Sequence, residues 1–164
     1  MSMIAARTAQ AGLAARIWNV LKEKVGPGPA RAILTEAIRA DAQAAGAAFA
    51  RQASDAPSLR HFATVLARWR EDNALAISGV TLTETSLSFT VTGCAYARAY
   101  ADMGLETELG VILSCSRDEP FAQGYSPCLS MVRSRTIMQG APACSFTFHW
   151  NEQPNEQKIY QQLA

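Results

Sequence analysis

The composition of the chain changes along its length, and this change constrains the fold more than any single motif does. Eighteen of the thirty alanines precede residue 60, in a region dominated by helix-forming residues. All four cysteines and most of the Ser, Thr, Tyr and Phe residues follow residue 85, where β-type residues gather. Helices followed by strands predict an α+β fold, with N-terminal helices packed on a mostly antiparallel sheet.

Length and charge limit the number of domains and the classes of partner. The 164 residues predict a single domain, 1–164, with a helical part (1–72) and a part that mixes helices with antiparallel strands and carries the site (73–151). A net charge of +1 is not typical of a nucleic-acid binder. No apolar run reaches the roughly 18–20 residues of a membrane span, and no secretory leader is recognisable. We expect a cytoplasmic protein with reduced thiols and no nucleic-acid or membrane partner.

Hydrophobic periodicity and turn residues predict the individual elements. Helices are expected at about 9–24, 29–52, 58–71, 94–103 and 105–115, and strands at 76–82, 87–92, 129–136 and 144–150, with a loose helix in the polar tail after Asn151. The segment 42–50 is almost entirely Ala and Gly, so we expect a buried or subunit-contacting face there. That face favours a homo-oligomer.

The absence of several known sequence motifs argues against several kinds of chemistry. The chain has no GxSxG, phosphate-binding loop, CxxC or HExxH, and cysteine gaps of 21, 13 and 16 positions do not resemble a zinc site. We therefore expect no metal and no cofactor. A thiol-redox protein, with a disulfide from Cys115 to Cys94 or Cys144, requires that the fold bring those residues within bonding distance.

The densest group of reactive side chains lies in the segment 114–121. Cys115 and Asp118 suit a nucleophile with its base or orienting partner, and Arg117 or Arg133 nearby would lower the pKa of the thiol. In the alternative interpretation Cys115 is a small buried apolar residue and Asp118 caps the next turn. Spacing alone favours this alternative.

Other candidates come from strand and helix positions. Arg133 shares a strand face with Met131 and Arg135, and an inward arginine suits a substrate carboxylate, although a solvent-facing arginine is commoner. Cys94 and Tyr96 begin a helix where thiol and phenol could line a pocket. Cys144 shares a face with Phe146 and Phe148, a stripe that is typical of a core. His61 is expected to be structural and His149 to lie on the surface.

The C-terminal half resembles the L-2-amino-thiazoline-4-carboxylic acid hydrolase family. The resemblance covers residues 75–150 and rests on the order of six segments: Cys94–Tyr96, Leu105–Gly110, Ser114–Asp118, Gly124–Pro127, Val132–Ile137 and Gly140–Phe148. The tail is also similar, more distantly, to 4-vinyl-reductase-type domains, which bind small ligands between helices and an antiparallel sheet.

The resemblance implies a site and a reaction. Cys115 and Asp118 would line the reacting pocket, Arg133 would contact the ligand, and Cys144 would form a pocket wall or be structural. The family's pattern has acids where this chain has Ala141 and Ser145, so no acidic role in that hairpin is carried over. The implied reaction is hydrolytic opening of a cyclic isothiourea to an N-carbamoyl amino acid.

Two mechanisms follow from this implied site, and a different function class competes with both. In the first, Cys115 is the nucleophile or proton donor, Asp118 the base or orienting group, and Arg133 the carboxylate anchor. In the second, Asp118 activates water and Cys115 only shapes the pocket. The competing class is a non-enzymatic ligand-binding or sensor domain that holds an apolar ligand against Phe89, Tyr96, Phe146 and Phe148.

Overall fold

The computed structural model describes residues 3–151. Its seven α-helices in that range are α1 (Met3–Val25), α2 (Pro27–Ala50), α3 (Leu59–Ala63), α4 (Val65–Arg70), α5 (Ala95–Asp102), α6 (Thr107–Leu113) and α7 (Asp118–Tyr125). The strands of these residues are β1 (Leu75–Leu82), β2 (Ser86–Cys94), β3 (Leu129–Arg133) and β4 (Cys144–Trp150). Short 3₁₀ turns cover Glu71–Asn73, Cys115–Arg117 and Ile137–Gln139. The loose helix predicted after Asn151 lies outside the described residues.

The four strands form one antiparallel sheet in the order β1-β2-β4-β3. In β2 and β4 every second residue is buried on the face that meets the helices, and cross-strand pairs such as Phe89–Phe146 stand on that face. The opposite face is exposed or half-buried. The α+β fold predicted from the composition, with helices on an antiparallel sheet, is confirmed.

Helices α2 and α7 cross at a very short distance, and two glycines make this possible. A Cβ added at Gly46 would lie 2.0 Å from the carbonyl oxygen of Phe121, and one at Gly124 would lie 2.0 Å from that of Gln43. Ala42 and Phe49 are also buried on α2. The small residues predicted to form a buried or subunit-contacting face therefore pack against another helix of the same chain.

Several elements differ from the predicted ones. The third helix is interrupted at Thr64, whose hydroxyl donates to the His61 carbonyl at 2.7 Å. Helix α7 was not predicted, because Pro120 and Gly124 are residues that usually interrupt a helix. The face of α7 that is buried is determined by its contact with α2. Strand β3 ends at Arg133, so Arg135 is exposed and does not share the strand face expected for it.

Two apolar clusters form the interior. One lies between the sheet and helices α2, α3, α4 and α7, and Phe62 and Phe148 are fully buried in it. The other joins α1, the start of α2, α5 and α6 around the buried Trp18. None of the helices within residues 3–151 combines the length and the apolar character needed to cross a membrane.

Candidate functional site

A cavity of about 340 Å³ lies where the two apolar clusters meet. Its walls come from helices α1, α2 and α4 to α7 and from all four strands of the sheet. The side chains that the site argument uses are Arg7, Trp69, Cys94, Tyr96, Tyr100, Cys115, Arg117, Asp118, Arg133, Cys144 and Phe146. All six candidate residues from the sequence are in this set, so the fold brings them to one cavity.

Most of the six residues stand at the end of an element. Cys94 caps α5, and its Sγ accepts from the Ala97 amide at 3.4 Å. Asp118 is the first residue of α7, and Arg133 is the last of β3. Cys144 begins β4, and its Sγ accepts from the Ile137 amide at 3.1 Å. Element ends allow side chains from distant parts of the sequence to converge, which explains why sequence spacing alone did not show the cluster.

Asp118 and Arg133 form an ion pair inside the cavity. Nη1 of Arg133 donates to the Asp118 carboxylate and, at 3.1 Å, to the Cys115 carbonyl. The guanidinium also lies 5.4 Å from the centroid of the Phe146 ring. Burial raises the pKa of Asp118 to about 6, against the lowering effects of Arg133 and, more weakly, Arg117. The carboxyl group therefore exchanges its proton near neutral pH, as a general acid or base must.

The thiol of Cys115 is protonated at neutral pH. Burial, and next the neighbouring Asp118, raise the pKa of Cys115 to about 12, which outweighs the lowering effect of Arg133. Arg133 thus lowers the pKa of this thiol as the sequence led us to expect, but burial is the larger effect and the net shift is upward. The interpretation of Asp118 as a turn cap also differs from the structure, where its side chain contacts Arg133.

A second polar group lies at the end of the cavity formed by α1 and α5. Arg7 of α1 and Arg117 share the carboxylate of Asp41, with Arg117 in close contact and Arg7 Nη1 3.8 Å from Asp41 Oδ2. Tyr96 and Tyr100 line the cavity beside them. Sequence analysis missed Arg7, Asp41 and Tyr100, and no local pattern marks them, since they are at ordinary helix positions.

The part of the cavity wall made of aromatic side chains is called the aromatic end here, and one of its rings, Phe146, also contacts Arg133. Phe89 and Phe146 stack with centroids 5.0 Å apart, and Trp69 lies 6.1 Å from both Phe89 and Phe121. Phe49 completes this wall. Phe148, expected in the ligand wall, instead packs in the core at 5.0 Å from Phe62.

The remaining candidates lie apart from this chemistry. His61 stacks on Phe49 at 4.8 Å, and its Nδ1 lies 2.9 Å from the Tyr125 hydroxyl, in keeping with a structural histidine. His149 is exposed. The four cysteines are free thiols. Within residues 3–151 no three His, Cys, Asp or Glu side chains are grouped to hold a metal ion.

Known proteins share both the fold and the sequence pattern. The fold is similar to the crystal structure of the phenol-responsive sensory domain of the transcription activator PoxR with phenol, at a TM-score of 0.55. The match covers 96% of this chain and 80% of that one at 10% identity, which shows a common fold. No curated protein matches the chain. The L-2-amino-thiazoline-4-carboxylic acid hydrolase family matches residues 6–148, which confirms the resemblance predicted from the sequence. The chain belongs to this hydrolase family.

Proposed function

We propose that the protein is a hydrolase that opens a small C=N-containing ring, such as 2-amino-thiazoline-4-carboxylate, to an N-carbamoyl amino acid. The observation that carries the proposal is Asp118, a carboxyl group with a pKa of about 6, held by Arg133 inside a cavity of about 340 Å³ that has room for a small ring. Membership of the hydrolase family supports the reaction class.

Asp118 carries the proton transfers of the proposed reaction. Its carboxylate accepts a proton from the water that adds to the sp² carbon between nitrogen and sulfur, and returns that proton to the ring nitrogen. The carbon–sulfur bond then breaks as the new hydroxyl proton passes through the same carboxyl group to the sulfur. The water oxygen becomes the carbonyl oxygen of the N-carbamoyl product, and its two hydrogens end on nitrogen and sulfur.

The other candidate residues shape and orient the site. Arg133 holds Asp118 in place, and this contact engages Nη1, one of its three guanidinium nitrogens. Cys115 keeps its proton, because the pKa of its thiol is raised to about 12, so it forms a wall of the cavity. Cys94, Tyr96 and Cys144 also line the cavity, where they would contact the ring. This arrangement supports the water mechanism over a cysteine nucleophile.

Two substitutions test the proposal and the mechanism together. We expect Asp118→Asn to lower kcat for ring opening by about 100-fold or more, because no other group then moves the protons. Cys115→Ser should keep much of the wild-type rate, whereas a cysteine nucleophile would lose nearly all of it. Product formation is followed by the mass gain of one water, and unfolding curves confirm that the variants fold. Wild-type protein that opens no ring of this class would refute the proposal.

The aromatic end of the cavity favours a second candidate function. A non-enzymatic domain would hold a flat apolar ligand against Trp69, Phe89 and Phe146, in the fold that the phenol-responsive sensory domain also has. This function predicts saturable binding of a small aromatic compound with no chemical change. Binding measured by calorimetry, together with an unchanged ligand mass after long incubation, would favour it over hydrolysis.

A further inference from the structure

The polar end of the cavity has more guanidinium groups than carboxylates. Arg7, Arg117 and Arg133 line it, and the acidic groups that contact them are Asp41 and Asp118. Asp118 forms an ion pair with Arg133, and Asp41 forms one with Arg117. Three cations against two anions leave room for one further negative charge.

Arg7 is the arginine with the weakest partner. Its guanidinium is 3.8 Å from Asp41, a carboxylate that is 65% exposed, and it donates otherwise to the exposed side chain of Gln10 at 3.1 Å. Its own side chain is only 27% exposed. Burial, and next Arg117, lower the pKa of Arg7 against the raising effect of Asp41. A partly buried cation with so little opposite charge gains from binding an anion.

The phenol side chains of Tyr96 and Tyr100 lie near Arg7 and Arg117. Tyr96 and Tyr100 both lie within electrostatic reach of Arg7 and Arg117, and both line the cavity. Within residues 3–151 neither hydroxyl has a hydrogen-bond partner, and neither is sealed away from the cavity. A ligand carboxylate beside Arg7 would accept hydrogen bonds from these two hydroxyls as well as from the guanidinium. The site would then offer three donor groups to one carboxylate.

The other arginines of the cavity are less suited to an anion. Arg133 already contacts Asp118 and the Cys115 carbonyl. Arg68 stands at the aromatic end, where it donates to Gln52 Oε1 at 2.5 Å and lies 5.1 Å from the Phe49 ring centroid. Tyr96 lies within electrostatic reach of both Arg7 and Asp118, and all three side chains line the cavity, so one ligand there would lie between Arg7 and Asp118.

We propose that Arg7, with the hydroxyls of Tyr96 and Tyr100, binds the carboxylate of the ligand, so that the protein selects small rings bearing one carboxylate. This inference rests on the proposed function, in which Asp118 acts on the same ring. It makes the first helix part of the site and moves the carboxylate anchor from Arg133, where the sequence placed it, to Arg7.

The test compares rings with and without a carboxylate. Thiazolidine-4-carboxylate and thiazolidine have no sp² ring carbon, so calorimetry measures their binding without turnover. We expect wild-type protein to bind thiazolidine-4-carboxylate more tightly than thiazolidine. Arg7→Gln should weaken binding of thiazolidine-4-carboxylate by about 10- to 100-fold and leave binding of thiazolidine unchanged. Arg7→Lys keeps the charge and should restore part of the preference. Arg16→Gln, at an exposed position of the same helix, is the matched control and should change neither ligand.

Turnover separates this inference from the proposed function. With 2-amino-thiazoline-4-carboxylate as substrate, Arg7→Gln should raise KM and leave kcat nearly unchanged. Equal hydrolysis of this ring and of 2-amino-2-thiazoline would overturn the inference and leave the hydrolase intact. A carboxylate preference that depends on Arg7 in a protein without turnover would keep the inference and refute the hydrolase. No preference in the wild type, or a preference unchanged in Arg7→Gln, overturns the inference.

Discussion

At the scale of single residues, burial decides which groups of the cavity carry charge. Asp118 and Cys115 stand three positions apart, and both lose solvation in the same cavity. The carboxyl group has a nearby guanidinium, so its pKa rises only to about 6, whereas the pKa of the thiol rises to about 12. The same environment therefore produces one group that titrates near neutrality and one that keeps its proton.

The pKa of Asp118 sets the pH dependence of hydrolysis. The base is active when ionised, so kcat/KM for ring opening should fall tenfold per pH unit as the pH drops below about 6. The profile is measured with wild-type protein between pH 4.5 and about 8, with unfolding curves at each pH as the control. A profile that stays flat to pH 4.5 would show that Asp118 has an ordinary carboxyl pKa or is not the base.

At the scale of elements, the contact between α2 and α7 holds the site together. Asp118 starts α7, and the close crossing at Gly46 and Gly124 determines where that helix lies. The added Cβ atoms would meet backbone carbonyls, which cannot rotate away as a side chain can. The position of Asp118 in the cavity thus depends on two glycines that are remote from any chemistry.

Alanine at either glycine should separate the two helices. We expect Gly46→Ala and Gly124→Ala each to lower the free energy of unfolding by about 3 kcal/mol or more, because a Cβ would lie 2.0 Å from a backbone oxygen. Gly12→Ala is the matched control: its Cβ meets only a Met103 methyl at 3.9 Å, and helix propensity predicts a gain of about 0.5–1 kcal/mol. Urea unfolding measures all three. Gly46→Ala and Gly124→Ala proteins as stable as the wild type would contradict the crossing.

At the scale of the whole molecule, the cavity lies at the junction of two apolar clusters. Phe89 and Phe146 belong to the cluster over the sheet, and Tyr100 and Leu113 belong to the cluster around α1. A ligand in the cavity contacts both clusters at once. Binding should therefore stabilise the molecule as a unit, and not one half alone.

The size of this stabilisation follows from mass action. At a concentration 100 times its Kd, thiazolidine-4-carboxylate should raise the free energy of unfolding by about 2.7 kcal/mol. Urea midpoints followed separately by tryptophan fluorescence and by far-ultraviolet circular dichroism should shift together. Two midpoints that diverge in the presence of ligand would contradict a site shared by both clusters.

The homo-oligomer expected from the sequence stays a prediction, but the surface from which it was inferred is partly buried within the chain. It was inferred from the small residues at 42–50, and the structure places part of that face, including Gly46, against α7. A self-contact would have to use other surface.

The sequence by itself determined the class of fold, most of the helices and strands, the family, and the six residues that the cavity collects. These properties follow from hydrophobic period, composition and the order of short segments, which are local along the chain. Only the tertiary structure decided that Cys115 is protonated, that Arg133 is paired, and that Arg7 lines the cavity. Charge state depends on burial and on partners distant in sequence, and Arg7 and Asp118 line one cavity only because the first helix packs against α5 and α6.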